Sequence, residues 1–124
     1  MEVNNMKSRI SILKANITDN KLLLEADGPI EGLNPSGQIL VDSDKYSFIY
    51  IMEDQEDYTY IVLPELIWTF IKTAYDQKLP VWMIKNDQEK ELINFHDELE
   101  FVISNIKGNS NYGHEMVTKV ENIF

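Results

Sequence analysis

The sequence of 124 residues contains no cysteine. Disulfide bonds, thiolate metal ligands and cysteine nucleophiles are therefore excluded. It also contains a single arginine, Arg9, and its lysines form no basic stripe. Because proteins that bind phosphate backbones need clustered Lys and Arg to displace counterions, the sequence predicts neither nucleic-acid binding nor binding to anionic membranes.

Long apolar runs are lacking as well. No stretch approaches the roughly 20 apolar residues that a membrane helix needs. Residues 1–11 lack the apolar centre of a signal peptide. We therefore expect a cytoplasmic protein.

Histidine is scarce, since only His96 and His114 are present. His96 and Glu100 are four residues apart, a spacing that can place two metal ligands on one helical face. The same spacing is common on solvated helices, and His96 lies in the first helical turn, where the helix dipole disfavours a cation. We therefore expect no metal and no cofactor.

Acidic residues are abundant, and the formal net charge is −10. The excess is spread along the chain, so it is not an acidic tail. The general interpretation of this acidic excess is that it keeps the protein soluble. Its specific interpretations are a basic protein partner or mimicry of nucleic acid.

The length and the 44% hydrophobic content fit one folded domain over residues 1–124. Alternating apolar patterns predict strands, and turn-forming residues separate them. Helical periodicity and helix-ending residues predict three helices, of which the second is capped by Asn94 and stopped by Gly108. The predicted strands are 8–15, 21–27, 38–42, 46–52, 58–63, 81–85 and 89–95.

The resulting order is β-β-β-β-β-α-β-β-α-α. Because strands and helices do not alternate regularly, we predict an α+β fold with a mainly antiparallel sheet of six or seven strands. About three helices should pack on one face of this sheet. The second helix should bury one stripe of apolar side chains: Phe95, Leu99, Val102, Ile103 and Ile106.

The most unusual segment is the loop 108–113, Gly-Asn-Ser-Asn-Tyr-Gly. Its glycine spacing matches a nucleotide-binding P-loop, but His114 and Glu115 replace the required Lys-Ser/Thr pair, and a helix precedes it. A plain helix–helix connection is one interpretation, with Gly108 in left-handed conformation and Ser110 or Asn111 capping the last helix. These roles leave Asn109 without a structural role.

We therefore predict that this loop is a contact surface, formed by Asn109, Ser110, Asn111 and Tyr112. A second candidate surface is the hairpin of the fourth and fifth strands. The alternation of Tyr46, Phe48 and Tyr50, and of Tyr58 and Tyr60, predicts five rings on one face. The opposite face should then meet the helices through Ile49, Ile51, Ile61 and Leu63. A tyrosine-rich face suits a protein interface, and ordinary cross-strand packing is the alternative.

Three segments carry a resemblance to a known family: PSGQILVDSDKYSFIYI at 35–51, LPELIW at 63–68 and NIKGNSNYGHEM at 105–116. With these blocks the chain resembles a family of short, acidic bacterial proteins of uncharacterised function. The resemblance covers nearly the whole chain, and the block 108–113 is its most specific part. It implies a cytoplasmic, single-domain bacterial protein and supplies no site residues.

The sequence thus predicts a non-enzymatic interaction or binding domain with an unidentified protein partner. One alternative is a small hydrolase or ligand-binding enzyme that uses Ser110, His114 and Glu115, which would have to converge in a concave pocket. Another is an acidic inhibitor or nucleic-acid mimic, which would need carboxylates in rows on one face. The oligomeric state is not indicated.

Overall fold

The computed structural model describes residues 8–55 and 57–124. Residues 1–7, which were part of the argument against a signal peptide, lie outside the described ranges. The elements follow one another as β1 (Ser8–Thr18), β2 (Lys21–Ala26), β3 (Asn34–Asp42), β4 (Ser47–Glu53), β5 (Tyr58–Pro64), α1 (Trp68–Gln77), β6 (Val81–Lys85), β7 (Gln88–Glu91), α2 (Phe95–Ile106) and α3 (His114–Ile123). The predicted α+β class and the predicted element order are confirmed.

Seven strands form one sheet in the order β3-β4-β5-β1-β2-β6-β7. The β1–β2 hairpin occupies the centre, where β1 runs parallel to β5 and β2 runs parallel to β6. The other four neighbouring pairs are antiparallel. The turn of the central hairpin places Asp19 and Asn20 at φ 51° and 60°. Short polar side chains of this kind tolerate left-handed backbone, which explains why the chain reverses here.

The three helices cover one face of the sheet, and the main core lies between the two layers. All five residues of the predicted α2 stripe are buried, with Leu99 and Ile106 fully inaccessible. Helix α1 contacts β1 and β2, whereas α2 contacts the edge strand β3. In the part of the chain that the structure describes, no helix is long and apolar enough to cross a bilayer.

The sheet curls, and its two edge strands, β3 and β7, contact each other. The buried Tyr50 hydroxyl donates to the Ile93 carbonyl at 2.7 Å and accepts from the Gly37 amide at 3.1 Å. The side chain of Asn94 donates to the Gly37 carbonyl at 3.1 Å. We call Gly37, Tyr50, Ile93 and Asn94 the sheet closure. It fastens β3 to the connection between β7 and α2.

The sheet closure corrects the predicted role of Asn94. This residue is in left-handed conformation (φ 58°), and its side chain makes no capping hydrogen bond to α2. The side-chain amide of Asn94 instead donates a hydrogen bond to the Gly37 carbonyl. A Cβ atom added to Gly37, itself at φ +78°, would lie 3.3 Å from the Asn94 Cβ. The close approach of the two chains therefore favours glycine at position 37.

Candidate functional site

The loop 108–113 is held by its own hydrogen bonds. Gly108 ends α2 in left-handed conformation, as predicted, and its amide donates to the Glu121 carboxylate at 2.9 Å. The Asn109 side chain donates to the Asn105 carbonyl at 3.1 Å and accepts from the Asn111 amide at 3.0 Å. The expectation that Asn109 has no structural role is therefore wrong. Its side chain joins the end of α2 to the loop.

Residues Ser110–Tyr112 form a short 3₁₀ turn, and α3 begins only after Gly113. Neither Ser110 nor Asn111 caps α3, because Gly113 occupies the cap position at φ 89°. The predicted cap was wrong because these residues form a separate turn that the Asn109 side chain caps. The side chains of Ser110 and Asn111 are exposed, whereas Tyr112 is half-buried against the main core.

Next to this loop, a hollow of about 400 Å³ lies along α3. We call it the α3 hollow, and its lining residues are Glu65, His114, Glu115, Thr118, Lys119, Asn122 and Ile123. The Tyr46 hydroxyl adjoins it and donates to the Glu115 carboxylate at 2.5 Å. The Lys119 ammonium donates to both oxygens of Glu65, at 3.1 and 3.3 Å. It also lies 4.9 Å from the centre of the Tyr46 ring.

Local structure explains how these groups meet. Glu115 and Lys119 are four residues apart in α3, so their side chains share one helical face. Tyr46 follows a 3₁₀ turn at Ser43–Lys45 and is left-handed, with φ 49°. Glu65 opens another 3₁₀ turn, directly after β5. Two turns at the end of the sheet thus present a ring and a carboxylate to one helix.

The electrostatics of the α3 hollow keep Tyr46 protonated. The hydrogen bond to the Glu115 carboxylate is the largest cause that raises the pKa of the Tyr46 hydroxyl, and the negative charges of Asp44 and Glu65 add to it. Tyr46 therefore donates to Glu115 as a neutral phenol. Glu65 is paired with a cation, whereas Glu115 is held by a neutral group. The formal charges of Glu65, Glu115 and Lys119 leave one negative charge in the hollow.

The predicted aromatic face does not exist as one surface. Phe48 and Tyr50 pair with Leu63 and Ile61, and all four belong to the main core beneath the helices. Ile49 and Ile51 lie on the opposite face, where they form a second cluster with Leu40 and Tyr60. The predicted assignment of faces is therefore wrong. Tyr46 lies at the α3 hollow, Tyr50 in the sheet closure and Tyr60 in the second cluster, while Tyr58 is 48% exposed at the start of β5.

The groups proposed for hydrolysis do not converge. Ser110 is not among the residues that line the α3 hollow. Within the described ranges, no hydrogen bond joins the Ser110 side chain to His114 or Glu115, and the carboxylate of Glu115 is occupied by Tyr46. A serine nucleophile needs a base within hydrogen-bond reach. The geometry does not supply one.

His96 and Glu100 are also engaged elsewhere. The His96 Nε2 atom donates to the Leu79 carbonyl at 2.6 Å, which assigns the proton to this nitrogen. Glu100 accepts from the Tyr75 hydroxyl at 3.0 Å. Among the described residues, no group of three or more potential metal ligands is gathered.

Acidic side chains occur in several separate places. Glu31, Asp54 and Asp57 line a hollow of about 540 Å³ near the β4–β5 turn. On α2, Glu98 reaches the Ile39 amide of β3, whereas Glu100 points to α1 through Tyr75. These carboxylates do not form one row.

Comparison with known proteins identifies relatives along nearly the whole chain. A family model described as a family of unknown function (UPF0738) matches residues 9–124. The UPF0738 protein YjbL of Bacillus subtilis is 43% identical, over 96% of this chain and 99% of its own length. The UPF0738 proteins of Bacillus pumilus and Staphylococcus aureus are 39% and 40% identical, covering 96% and 94% of this chain and 99% and 96% of their own lengths. No solved structure matches the chain.

Proposed function

The chain belongs to the bacterial family of unknown function UPF0738, and we propose that it is a non-enzymatic protein-interaction domain. In this proposal, a basic segment of a partner protein enters the α3 hollow beside the loop 108–113. The supporting observation is that this hollow holds two carboxylates, of which only Glu65 has a cationic partner among the described residues. The interaction takes place in the cytoplasm, as the sequence leads us to expect.

The chemistry of the α3 hollow suits a Lys or Arg side chain. The phenol of Tyr46 brings no charge to offset that of Glu115, and it donates to only one of the two carboxylate oxygens. An incoming guanidinium or ammonium would make a charge-assisted hydrogen bond, which is about twice as strong as a neutral one.

The adjoining loop gives this surface a defined shape. Because Asn109 and Gly108 are tied by hydrogen bonds, the exposed Ser110 and Asn111 are presented in fixed positions. A pre-ordered loop loses less conformational entropy on binding than a mobile one. The loop therefore supplies polar contacts beside the charged hollow.

The test uses charge-matched variants as bait. Glu65→Gln/Glu115→Gln removes two negative charges from the α3 hollow. Glu31→Gln/Asp87→Asn removes two from another hollow, which also contains a lysine, Lys85. We expect wild type and the control variant to capture the same partner from a bacterial lysate, with at least a tenfold loss for the hollow variant. Equal capture by all three proteins would overturn the proposal.

A defined ligand provides the second measurement. Isotope-labelled protein is titrated with a short Arg-rich peptide and with a Glu-rich peptide of equal length. We expect the Arg-rich peptide alone to shift the amide signals of Glu65, Glu115 and Lys119, and the hollow variant to lose these shifts. Shifts spread evenly over all acidic residues would show unspecific attraction and contradict a site.

A further inference from the structure

Lys119 pairs across the α3 hollow and not along its own helix. Glu115 precedes Lys119 by four residues in α3, an order that favours an ion pair on a helix surface. In the part of the chain that the structure describes, however, the Lys119 ammonium donates to both oxygens of Glu65, which lies 54 residues away. The Glu115 carboxylate accepts from the Tyr46 hydroxyl instead. Lys119 thus joins α3 to the turn that follows β5.

The surroundings of the Lys119 ammonium are those of a cation-binding site. The Glu65 oxygens lie at 3.1 and 3.3 Å, and the centre of the Tyr46 ring lies at 4.9 Å. Carboxylates and aromatic faces are the groups that bind the side chains of Lys and Arg. A residue of the chain itself therefore occupies one of the two carboxylates that could bind a partner's cation.

The ion pair between Lys119 and Glu65 is weak enough to be exchanged. The two side chains are 31% and 41% exposed. Exposed pairs of this kind contribute little to stability, because the charges interact in a high dielectric and two long side chains lose conformational freedom. If the ammonium left Glu65, water would solvate it at once. The displacement of Lys119 therefore leaves no buried charge behind.

The chemistry of the displacing group follows from this competition. The fold holds Lys119 beside Glu65, so its effective concentration is high and an identical ammonium from a partner competes poorly. A guanidinium has a different geometry, because it makes two parallel hydrogen bonds to one carboxylate and stacks on an aromatic ring. An arginine is therefore a better ligand for Glu65 than a second lysine.

We propose that Lys119 is an internal competitor in the α3 hollow, which an arginine of the partner displaces from Glu65. This inference rests on the proposed function, in which a basic segment enters the hollow and binds Glu115. In the free protein, only Glu115 is open to a cation. Glu65 becomes available to a segment that carries a second basic side chain, and that side chain is arginine. Lys119 thus selects partners with two neighbouring basic residues.

Nuclear magnetic resonance of the wild-type protein tests the displacement directly. With isotope-labelled lysine, the side-chain signals of Lys119 should carry a ring-current shift from Tyr46, and their absence in Lys119→Gln assigns them. Lys21 is the internal control, because its ammonium lies 5.0 Å from the centre of the Trp82 ring. An Arg-rich peptide should abolish the ring-current shift of Lys119 and leave that of Lys21 unchanged. A Lys-rich peptide of equal length should leave both unchanged.

Three results of this titration would contradict the inference. If the Arg-rich peptide shifts the Glu115 amide while Lys119 keeps its ring-current shift, the partner binds without displacing Lys119. The proposed function then stands and this inference falls. If both peptides displace Lys119 equally, the selection of arginine is refuted. If neither peptide shifts the Glu115 amide, the proposed function fails and this inference fails with it.

Affinity provides an independent test with a matched control. Lys119→Gln frees Glu65, whereas Lys72→Gln breaks the pair with Asp76 on α1, in which Lys72 is 34% exposed. Each substitution removes one positive charge and one exposed ion pair. Calorimetry should show that Lys119→Gln binds the Arg-rich peptide about two- to fivefold more tightly than wild type, the range that an exposed pair allows. Lys72→Gln should bind it like wild type. Equal dissociation constants of the two variants, or weaker binding by Lys119→Gln, would overturn the proposal.

Discussion

Two tyrosines from the same short segment, Tyr46 and Tyr50, end in opposite environments. Tyr50 is fully buried in the sheet closure, where its hydroxyl both donates and accepts. Tyr46 is half-buried at the α3 hollow, where its hydroxyl holds one carboxylate of an accessible charged group. The first ring stabilises the fold, whereas the second lies at an accessible charged surface.

The difference teaches how to separate structural from functional polar groups in this chain. A buried hydroxyl that is removed leaves its partners unpaired, away from water, and the cost appears in stability. At an exposed hydroxyl, water replaces the lost bond, so little stability is lost. Substitutions at the two regions should therefore differ in what they change: unfolding at the sheet closure, binding at the α3 hollow.

The largest expected effect comes from the core that both regions share. Leu99 of α2 is fully buried. Leu99→Ala should lower the free energy of unfolding by about 2–5 kcal/mol, because it leaves a cavity. Urea denaturation measures this loss, with Phe101→Ala on the same helix as the control, since Phe101 is 62% exposed. A loss below about 1 kcal/mol at Leu99 would contradict the packing described for α2.

The next effect separates the two tyrosines directly. Tyr50→Phe should cost about 1–3 kcal/mol, because the Gly37 amide and the Ile93 carbonyl lose their buried partner. Tyr46→Phe should change stability far less. It should maintain or increase capture of a basic partner, because the Glu115 carboxylate loses a competing donor. Thermal denaturation and the capture assay, applied to both variants, test the contrast. If the two variants lose equal stability, the contrast between the regions fails.

A smaller effect is expected at the loop beside the α3 hollow. Asn109→Ala removes two hydrogen bonds of the side chain, one of which caps the following turn. We expect a loss of about 1 kcal/mol, as for other side-chain caps. Ser110→Ala is the control, because its side chain is exposed. Unchanged stability of Asn109→Ala would show that Asn109 has no structural role. It would then support the assignment of this residue to the contact surface.

The fold was predictable from sequence because its signals are local. The strand patterns, the Asp19-Asn20 turn and the apolar stripe of α2 each lie within one short segment. The faces of β4 were not predictable. Both sides of this strand are buried, with Phe48 and Tyr50 on one side and Ile49 and Ile51 on the other. The alternation of side chains therefore does not indicate which side meets the helices. The face that meets the helices is determined only in the folded structure, by the pairing of β4 with β5 and by the burial of both faces of β4.

The candidate site was predictable only in part. The loop 108–113 is distinctive in composition and ends directly before His114 and Glu115, which line the α3 hollow. The hydrogen bond between Tyr46 and Glu115 joins residues 69 positions apart, and the one between Glu65 and Lys119 joins residues 54 apart. No local pattern encodes such contacts. Asn94 failed as a predicted cap for the same reason, because its partner Gly37 is 57 residues away.

The last effect, on the pH dependence of stability, is absent at neutral pH and appears only in alkali. Burial is the largest cause that raises the pKa of Tyr50, to about 12, from the ordinary value of 10.0. The folded state thus holds this proton more tightly than the unfolded state. Its contribution to stability is complete below pH 10 and is lost as the pH rises from 10 towards about 12.

The stability difference between wild type and Tyr50→Phe should therefore shrink as the pH rises through this window. Wild type loses a contribution that the phenylalanine variant does not have, whereas the rest of the chain is the same in both proteins. Urea midpoints of the two proteins, measured at steps of pH above neutrality, give the difference directly. Tyr46→Phe is the companion variant, because Glu115 raises the pKa of Tyr46 in the same direction without burial as the main cause. Parallel curves for wild type and Tyr50→Phe would show that folding does not change the pKa of the Tyr50 hydroxyl. This result would mean that solvent reaches the sheet closure.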